Sequence, residues 1–448
     1  MVKIMKAVST TVWAGIVIII IVIAGVGVYW YTMQPPVLEK EITIAWTEGP
    51  EFDAIEALLP EFEEDTGIDV VLETIPRGHI MERLMLEMLS PEPSLDGTVM
   101  YALELPTLAA TGKLVDLYEY RTKTELLADG FYEDQLDVVE INGKLHYLPG
   151  LWNGALIIYY YKDYFEDQTW KDEYSAMYPG ETLAVPETPE ELLKVAEFWD
   201  LVADGEADGK GPDGLYPIHL QGKIEMGGAL YCIFPPMVTD FGGGFYDPET
   251  GDILANSTET IEALQYLVDL SQYAQPTMLV DGTFEGEIAI LEGRCLMADQ
   301  WTYIIGMMED PEASQVVGEM GIAMRPFSEP PDIMGISILD TPKKDMVWQF
   351  VEWVASPEVA TEVCYVTPKA PSRSQVLLDP RISESDWIDV VWDSFGRVKQ
   401  INPPIRDPRS IEIYEAMMRR VHQALTGELT PEEAMDALAE DIEYIVSV

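Results

Sequence analysis

The sequence predicts an α/β fold, a mainly parallel sheet covered by helices, preceded by one N-terminal transmembrane helix. Three observations carry this. Strand-like and helix-like periodicities alternate from residue 41 onward. Gly, Pro and Thr stand where elements should stop and start. A run of 20 residues without a charge, Val12–Tyr31, precedes them all.

Glu41-Ile42-Thr43-Ile44-Ala45-Trp46 alternates with period two and is rich in β-branched residues, so it reads as a strand. Phe52, Ile55, Leu58, Leu59 and Phe62 then recur at helical spacing up to Thr66, and Gly67 stops the helix. Ile68–Leu72 is the next strand. His79–Ser90 is a helix with Met81, Leu84, Met85 and Met88 on its core face, and Gly97–Tyr101 a short buried strand. Lys144–Tyr161 reads as two strands separated by Pro149-Gly150, and Glu259–Tyr273 as an amphipathic helix. Thr188-Pro189-Glu190-Glu191 and Thr430-Pro431-Glu432-Glu433 each join a capping hydroxyl, a first-turn Pro and a Glu three residues on. They start helices that run to Val202 and to about Val446.

A helix over Val12–Tyr31 spans roughly the 30 Å hydrocarbon core of a bilayer. Lys3 and Lys6 precede it and Tyr29, Trp30 and Tyr31 close it, which places the N-terminus in the cytoplasm and everything after Met33 outside. A cleaved secretory signal is shorter and ends in small residues, so residues 1–33 read as a retained signal/transmembrane anchor. Lys6–Thr11 resembles pilin-like signals that are cut ahead of the hydrophobic segment. Residues 34–40, with Pro35-Pro36, read as a stiff tether. The expected location is the cell membrane, single-pass, with an extracellular domain.

Charge narrows the function. The chain holds 27 Lys+Arg against 79 Asp+Glu, a net charge of −52, and a surface this acidic excludes nucleic acid as a partner. Cys232, Cys295 and Cys364 are odd in number, show no CxxC spacing and sit in apolar contexts, so free buried thiols are expected. No HExxH or GxSxG occurs, and none of the Gly-Lys pairs is followed by the Ser or Thr of a phosphate-binding loop. Neither an enzyme nor a cofactor is expected, and any ATP hydrolysis belongs to a partner. Asp204, Glu206 and Asp208 fit positions 1, 3 and 5 of a calcium loop with Gly209 at position 6. Position 12 is Leu215, leaving Asp213 as a substitute ligand, so a solvated acidic turn competes with a calcium site.

The order of motifs resembles one family, the extracellular solute-binding proteins of ABC transporters in their sugar-binding, maltose-binding-like group. The residues that carry this are Phe62–Val70 after the first helix, Thr111-Gly112-Lys113-Leu114-Val115-Asp116-Leu117, and Ile141–Pro149 followed by Tyr159–Phe165. Pro186–Leu192 (with Pro189 where the family usually has Trp) and Leu425–Ala434 complete the series. The resemblance implies a two-lobed periplasmic-binding-protein-like fold of type II with hinge crossovers. Residues 41–150 are expected in lobe 1, 151–301 in lobe 2, 302–335 in a return to lobe 1, and 336–448 in a C-terminal helical part of lobe 2. The crossovers are expected near Pro149–Trp152, after Trp301, and near Gly335–Ile338.

The implied function is capture of a sugar or oligosaccharide between the lobes, and its delivery by a monomer to ABC permease subunits with a separate ATPase. Alternatives are a peptide, a polyol-phosphate or a cation as solute, or an anchored extracellular glycoside hydrolase. Ligands of open α/β sheets sit beyond the carboxyl ends of strands, which nominates Trp46, Glu48, Tyr101, Glu104, Gln221, Asp299, Gln300 and Trp301. Trp152 and Asn153 are nominated at the first crossover. The resemblance adds Gly335 and the Arg373 of Pro371-Ser372-Arg373. Aromatic faces with Asp, Asn, Gln, Glu and Arg around them suit the C–H faces and hydroxyl rims of sugars. Deleting residues 1–33 is expected to give a soluble protein whose ligand affinity, measured by calorimetry, equals that of the full chain.

Overall fold

The computed structural model describes residues 40–76, 79–202, 210–225, 228–330, 333–397 and 407–447. The expected anchor, nearly all of the tether, and Asp204, Glu206 and Asp208 lie outside them. Among the described residues no helix is long and apolar enough to cross a membrane. Glu41–Val448 forms a unit of its own.

Among the described residues ten strands are present: β1 (Glu41–Trp46), β2 (Asp69–Thr74), β3 (Gly97–Tyr101), β4 (Glu140–Ile141), β5 (Lys144–Leu145), β6 (Tyr147–Asn153), β7 (Leu156–Tyr161), β8 (Met297–Trp301), β9 (Met320–Met324) and β10 (Ile333–Ile338). The first sheet has the order β2-β1-β3-β10-β6 and the second β8-β7-β9, while β4 and β5 form a small hairpin. β1 runs parallel to β2, with Glu41 opposite Asp69 and Trp46 opposite Thr74, and parallel to β3. The helix between β1 and β2, Pro50–Thr66, buries Ile55, Leu59 and Phe62. It ends at Gly67, whose φ of 65° is the left-handed conformation that lets its amide return to the Glu63 carbonyl at 2.9 Å. Ile42, Ile44 and Trp46 on one face of β1, and Ala45 on the other, are all buried, because helices cover the strand on both sides.

The second sheet departs from the expected parallel arrangement. β8 and β9 both run antiparallel to β7, and in the first sheet β10 runs antiparallel to β3 and β6. These strands meet across long stretches of chain, and period-two alternation carries no information on direction. Parallel pairing does occur beside β8, through single bridges from Tyr216 to Cys295 and from His219 to Ala298. Nor does Pro149-Gly150 separate one strand from the next. It lies within β6, where the register against β10 slips.

The expected division of the chain needs correction in its second half. β9 pairs with β7, so residues 320–324 stay with the second sheet. β10 returns to the first sheet, and the Lys344–Val354 and Pro357–Val366 helices pack there against β6 and the Pro50–Thr66 helix. Only from Ile388–Phe395, which packs on β7 and β9, does the chain rejoin the second lobe; the Ser410–Leu425 and Pro431–Ser447 helices follow there, against Thr258–Ser271. The passages between lobes therefore fall at Asn153–Leu156, between Met324 and Ile333, and between Leu378 and Ile388. They do not fall after Trp301 or within Gly335–Ile338, which belongs to a strand.

All three cysteines are free and buried. Burial pushes the Cys295 thiol up to about 12 and that of Cys364 up to about 11, so neither reacts as a thiolate in the folded protein. Titration with a thiol reagent is expected to find no fast-reacting group in the native protein and three after denaturation; one thiol after denaturation would reveal a disulfide.

Candidate functional site

The first passage between the sheets changes sides within one residue. The Asn153 carbonyl accepts from the Ala370 amide of lobe 1, and the Ala155 carbonyl accepts from the Thr302 amide of lobe 2, leaving Gly154 between them. The Asn153 side chain adds hydrogen bonds to Gln135 Oε1 at 2.9 Å, the Ala370 carbonyl at 3.0 Å and Ser372 Oγ at 2.5 Å.

The second passage is held by a buried guanidinium. Arg325 donates from Nε to Glu329 Oε1 and from Nη1 to Asp299 Oδ2, both at 3.1 Å, and from Nη2 to the Ser328 carbonyl at 2.6 Å. The second oxygen of Glu329 accepts from the Leu156 amide at 3.0 Å, so one carboxylate ties both passages together. Ser328 is fastened to Asp240 through its amide and hydroxyl.

At the lobe 1 end of this joint lies Lys369, a fully buried lysine. The slip in register sets Met334 opposite Trp152 but Gly335 opposite Pro149, which releases Gly150 and Leu151 from the ladder. The Lys369 ammonium donates to the Gly150 carbonyl at 2.8 Å and also to that of Leu151. Gly335 is where the strands approach most tightly; a Cβ there would collide with the Leu148 carbonyl and the Tyr147 ring.

Facing one another from the two lobes are Glu51, in the first turn after β1, and Tyr303, just after β8. Glu51 is 8% exposed, and its charge acts on the Tyr303 phenol. That phenol donates to Glu287 Oε2 at 2.8 Å, from the helix Thr283–Leu291. The lobes also meet where the Thr107 hydroxyl donates to the Pro408 carbonyl at 3.3 Å.

The residues nominated from the sequence divide accordingly. Asp299, Gln300, Trp301 and Gln221 come together at the lobe 2 side. Gln221 Nε2 donates to the Asp299 carbonyl at 3.1 Å, and Gln300 Nε2 to the Thr283 carbonyl at 2.8 Å. Asp299 Oδ1 is buried without a partner among the described residues. Trp301 is buried, its carbonyl taken by the Tyr159 hydroxyl at 2.8 Å. Asn153 is a joint residue. Trp46 is buried core in edge contact with Phe52, whereas Glu48 is exposed just beyond it. Glu104 caps the Tyr101 amide at 2.8 Å. Trp152 is a β6 residue opposite Met334, and Gly335 a point of close strand packing. Arg373 holds the Ala355 and Asp129 carbonyls and the Asp129 carboxylate, with its guanidinium 4.7 Å from the centre of the Phe131 ring. Asp213 accepts from the Tyr164 hydroxyl at 2.5 Å, and among the described residues no cluster of His, Cys, Asp or Glu could hold a metal ion.

Residues 57–388 match the family of bacterial extracellular solute-binding proteins. The chain belongs to that family. Three solved structures show the fold. The maltose-bound MalE3 of T. maritima is 20% identical with a TM-score of 0.74, over 90% of this chain and 99% of that one. A ribitol-bound ABC transporter solute-binding protein of Agrobacterium radiobacter K84 is 23% identical with a TM-score of 0.71, over 92% and 100%. The maltotriose-bound protein of Thermus thermophilus is 15% identical with a TM-score of 0.69, over 90% and 100%. Each is a two-lobed α/β relative in shape, and the family and these neighbours are binding proteins, not enzymes.

Sequence reasoning missed Glu51, Tyr303, Lys369, Arg325 and Glu329 in this solute-binding protein. Glu51 and Tyr303 lie a few residues past nominated strand ends, so the same rule extended by one turn reaches them. Lys369 carries no local signal, since its partners lie 218 and 219 residues away.

Burial pushes the Glu51 carboxyl up to about 7 from an ordinary 4.5; its own amide and Lys369 pull it down and Asp53 pushes it up. The folded state therefore binds a proton between 4.5 and 7 that the unfolded chain has lost. The stability contributed by this proton is complete below 4.5 and is lost as the pH rises through 7. In Glu51→Gln the fall in unfolding free energy across that window should be shallower by up to about 1.4 kcal/mol per pH unit. Urea unfolding at several pH values checks this, and an unchanged slope would place the Glu51 carboxyl in water.

Proposed function

We propose that this solute-binding protein captures a sugar, an oligosaccharide or a related polyol between its lobes and delivers it to the permease of an ABC transporter with a separate ATPase subunit. The observation that carries the reading is the convergence of Glu51, Tyr303 and Glu287 from opposite lobes at a joint crossed by short passages. Such a joint lets the lobes close over a solute and open again, and breaks no bond. Neighbours bound to maltose, ribitol and maltotriose support a polyhydroxyl solute. Gln221, Asp299, Gln300 and Trp301 form the lobe 2 wall of the site in this reading, with Glu48, Tyr101 and Glu104 opposite. The uncharged run Val12–Tyr31 supports a membrane tether that keeps the domain outside and close to its permease.

A thermal-shift screen of sugars and polyols tests the reading, since a ligand at a hundred times its Kd stabilises by about 2.7 kcal/mol. With a hit in hand, Tyr303→Ala is expected to weaken binding by roughly 2 kcal/mol, about thirtyfold, by removing both a ring face and the donor to Glu287. Tyr303→Phe should recover part of the loss. No shift from any sugar or polyol would overturn the reading.

A further inference from the structure

The carboxylates of the cleft have unequal partners, and this inference rests on the capture reading above. Glu287 accepts the Tyr303 hydroxyl at 2.8 Å. Glu51, more than nine-tenths buried, has among the described residues only its own amide as a hydrogen-bond donor. Three other groups bear on it: Lys369, Asp53 and Tyr303. The Lys369 ammonium is committed to the Gly150 and Leu151 carbonyls, and Asp53 and the Tyr303 phenol offer no positive charge. The Arg325 guanidinium is likewise spent on Asp299, Glu329 and Ser328. Closing the lobes thus brings Glu51 and Glu287 to either side of one phenol, with acceptor capacity and negative charge left over at Glu51.

We propose that the solute carries a protonated amine, an amino sugar being the fitting class, and that Glu51 is the residue that pairs with it. An ammonium supplies both missing quantities at once, donors for a carboxylate that can only accept and positive charge between two acids. A neutral hydroxyl supplies the donor alone. A sugar acid or sugar phosphate adds a third negative charge to a dry cleft and is rejected, because like charges at short range are strongly repulsive there.

The test is titration calorimetry on the full chain in detergent, with glucosamine and its β-1,4 disaccharide, their N-acetylated forms, glucose, cellobiose and glucuronate. The aminated sugars are expected to bind about tenfold or more tightly than the neutral ones, with the gain lost on acetylation. Glu51→Gln should erase the difference between aminated and neutral sugars, and Glu51→Asp should keep some of it, both variants being checked by their unfolding curves. Neutral and aminated sugars binding alike to the unaltered chain would overturn the amine while leaving sugar capture intact. A preference that survives in Glu51→Gln would overturn the role of Glu51. Failure of every sugar and polyol to bind would remove both readings together.

Discussion

The structure hangs on a guanidinium with no access to water. Arg325 reaches two carboxylates and a backbone carbonyl, and one of those carboxylates reaches on to the amide that begins β7. Burying three charges is costly. The penalty is tolerable only because every donor direction finds an acceptor at close range, and removing one partner of such a group costs about 3–5 kcal/mol. Burial pushes the Glu329 carboxyl up to about 7 and raises that of Asp299, while Arg325 pulls both back down. Two passages that are far apart in sequence are thereby locked into one rigid end on the second lobe.

The opposite end of the joint is built from different chemistry. Asn153 uses an amide for three acceptors, Ile333 offers its carbonyl to both Ala102 and Tyr147, and Lys369 fills the gap that a slipped register opens. Between these fastenings the first passage has Gly154 alone, and the second has the few residues from Glu329 to Ile333. Bending concentrated in so few residues leaves both sheets intact as rigid bodies, so the side chains that meet between them keep their geometry within each lobe. Closure then changes only which groups face one another, and this is why a single carboxylate such as Glu51 passes from water to burial.

Local rules reached the first lobe's opening elements well. β1 to β3 and their helices repeat a βαβ pattern that periodicity and capping residues announce, and Thr188 and Thr430 do accept from the amides of Glu191 and Glu433. The rule that ligands sit past strand ends led to Asp299, Gln300 and Gln221, which do gather. It led equally to Trp46, which is buried among lobe 1 side chains, as is the Arg373 that the family resemblance supplied. A strand end tells where the chain turns but not which lobe its side chains face. What the sequence withheld is long-range: the return of β10 to the first sheet, the antiparallel second sheet, and the buried charges whose partners lie far along the chain. A buried lysine reads the same as an exposed one until the strand it serves has been placed.

That lysine also bears on how the molecule behaves in a crowd. β6 is an edge strand, and an edge ordinarily shows a row of free amides and carbonyls that another chain can adopt as its own ladder. Here Pro149 has no amide to offer, the register slip twists the strand, and the two carbonyls it releases are held by an ammonium. The other edge, β2, carries Asp69 and Glu73, which repel an acidic neighbour. A sheet finished in this way resists templating by extended segments of partly unfolded copies, so high local density outside the membrane would not drive these domains into strand-to-strand aggregates.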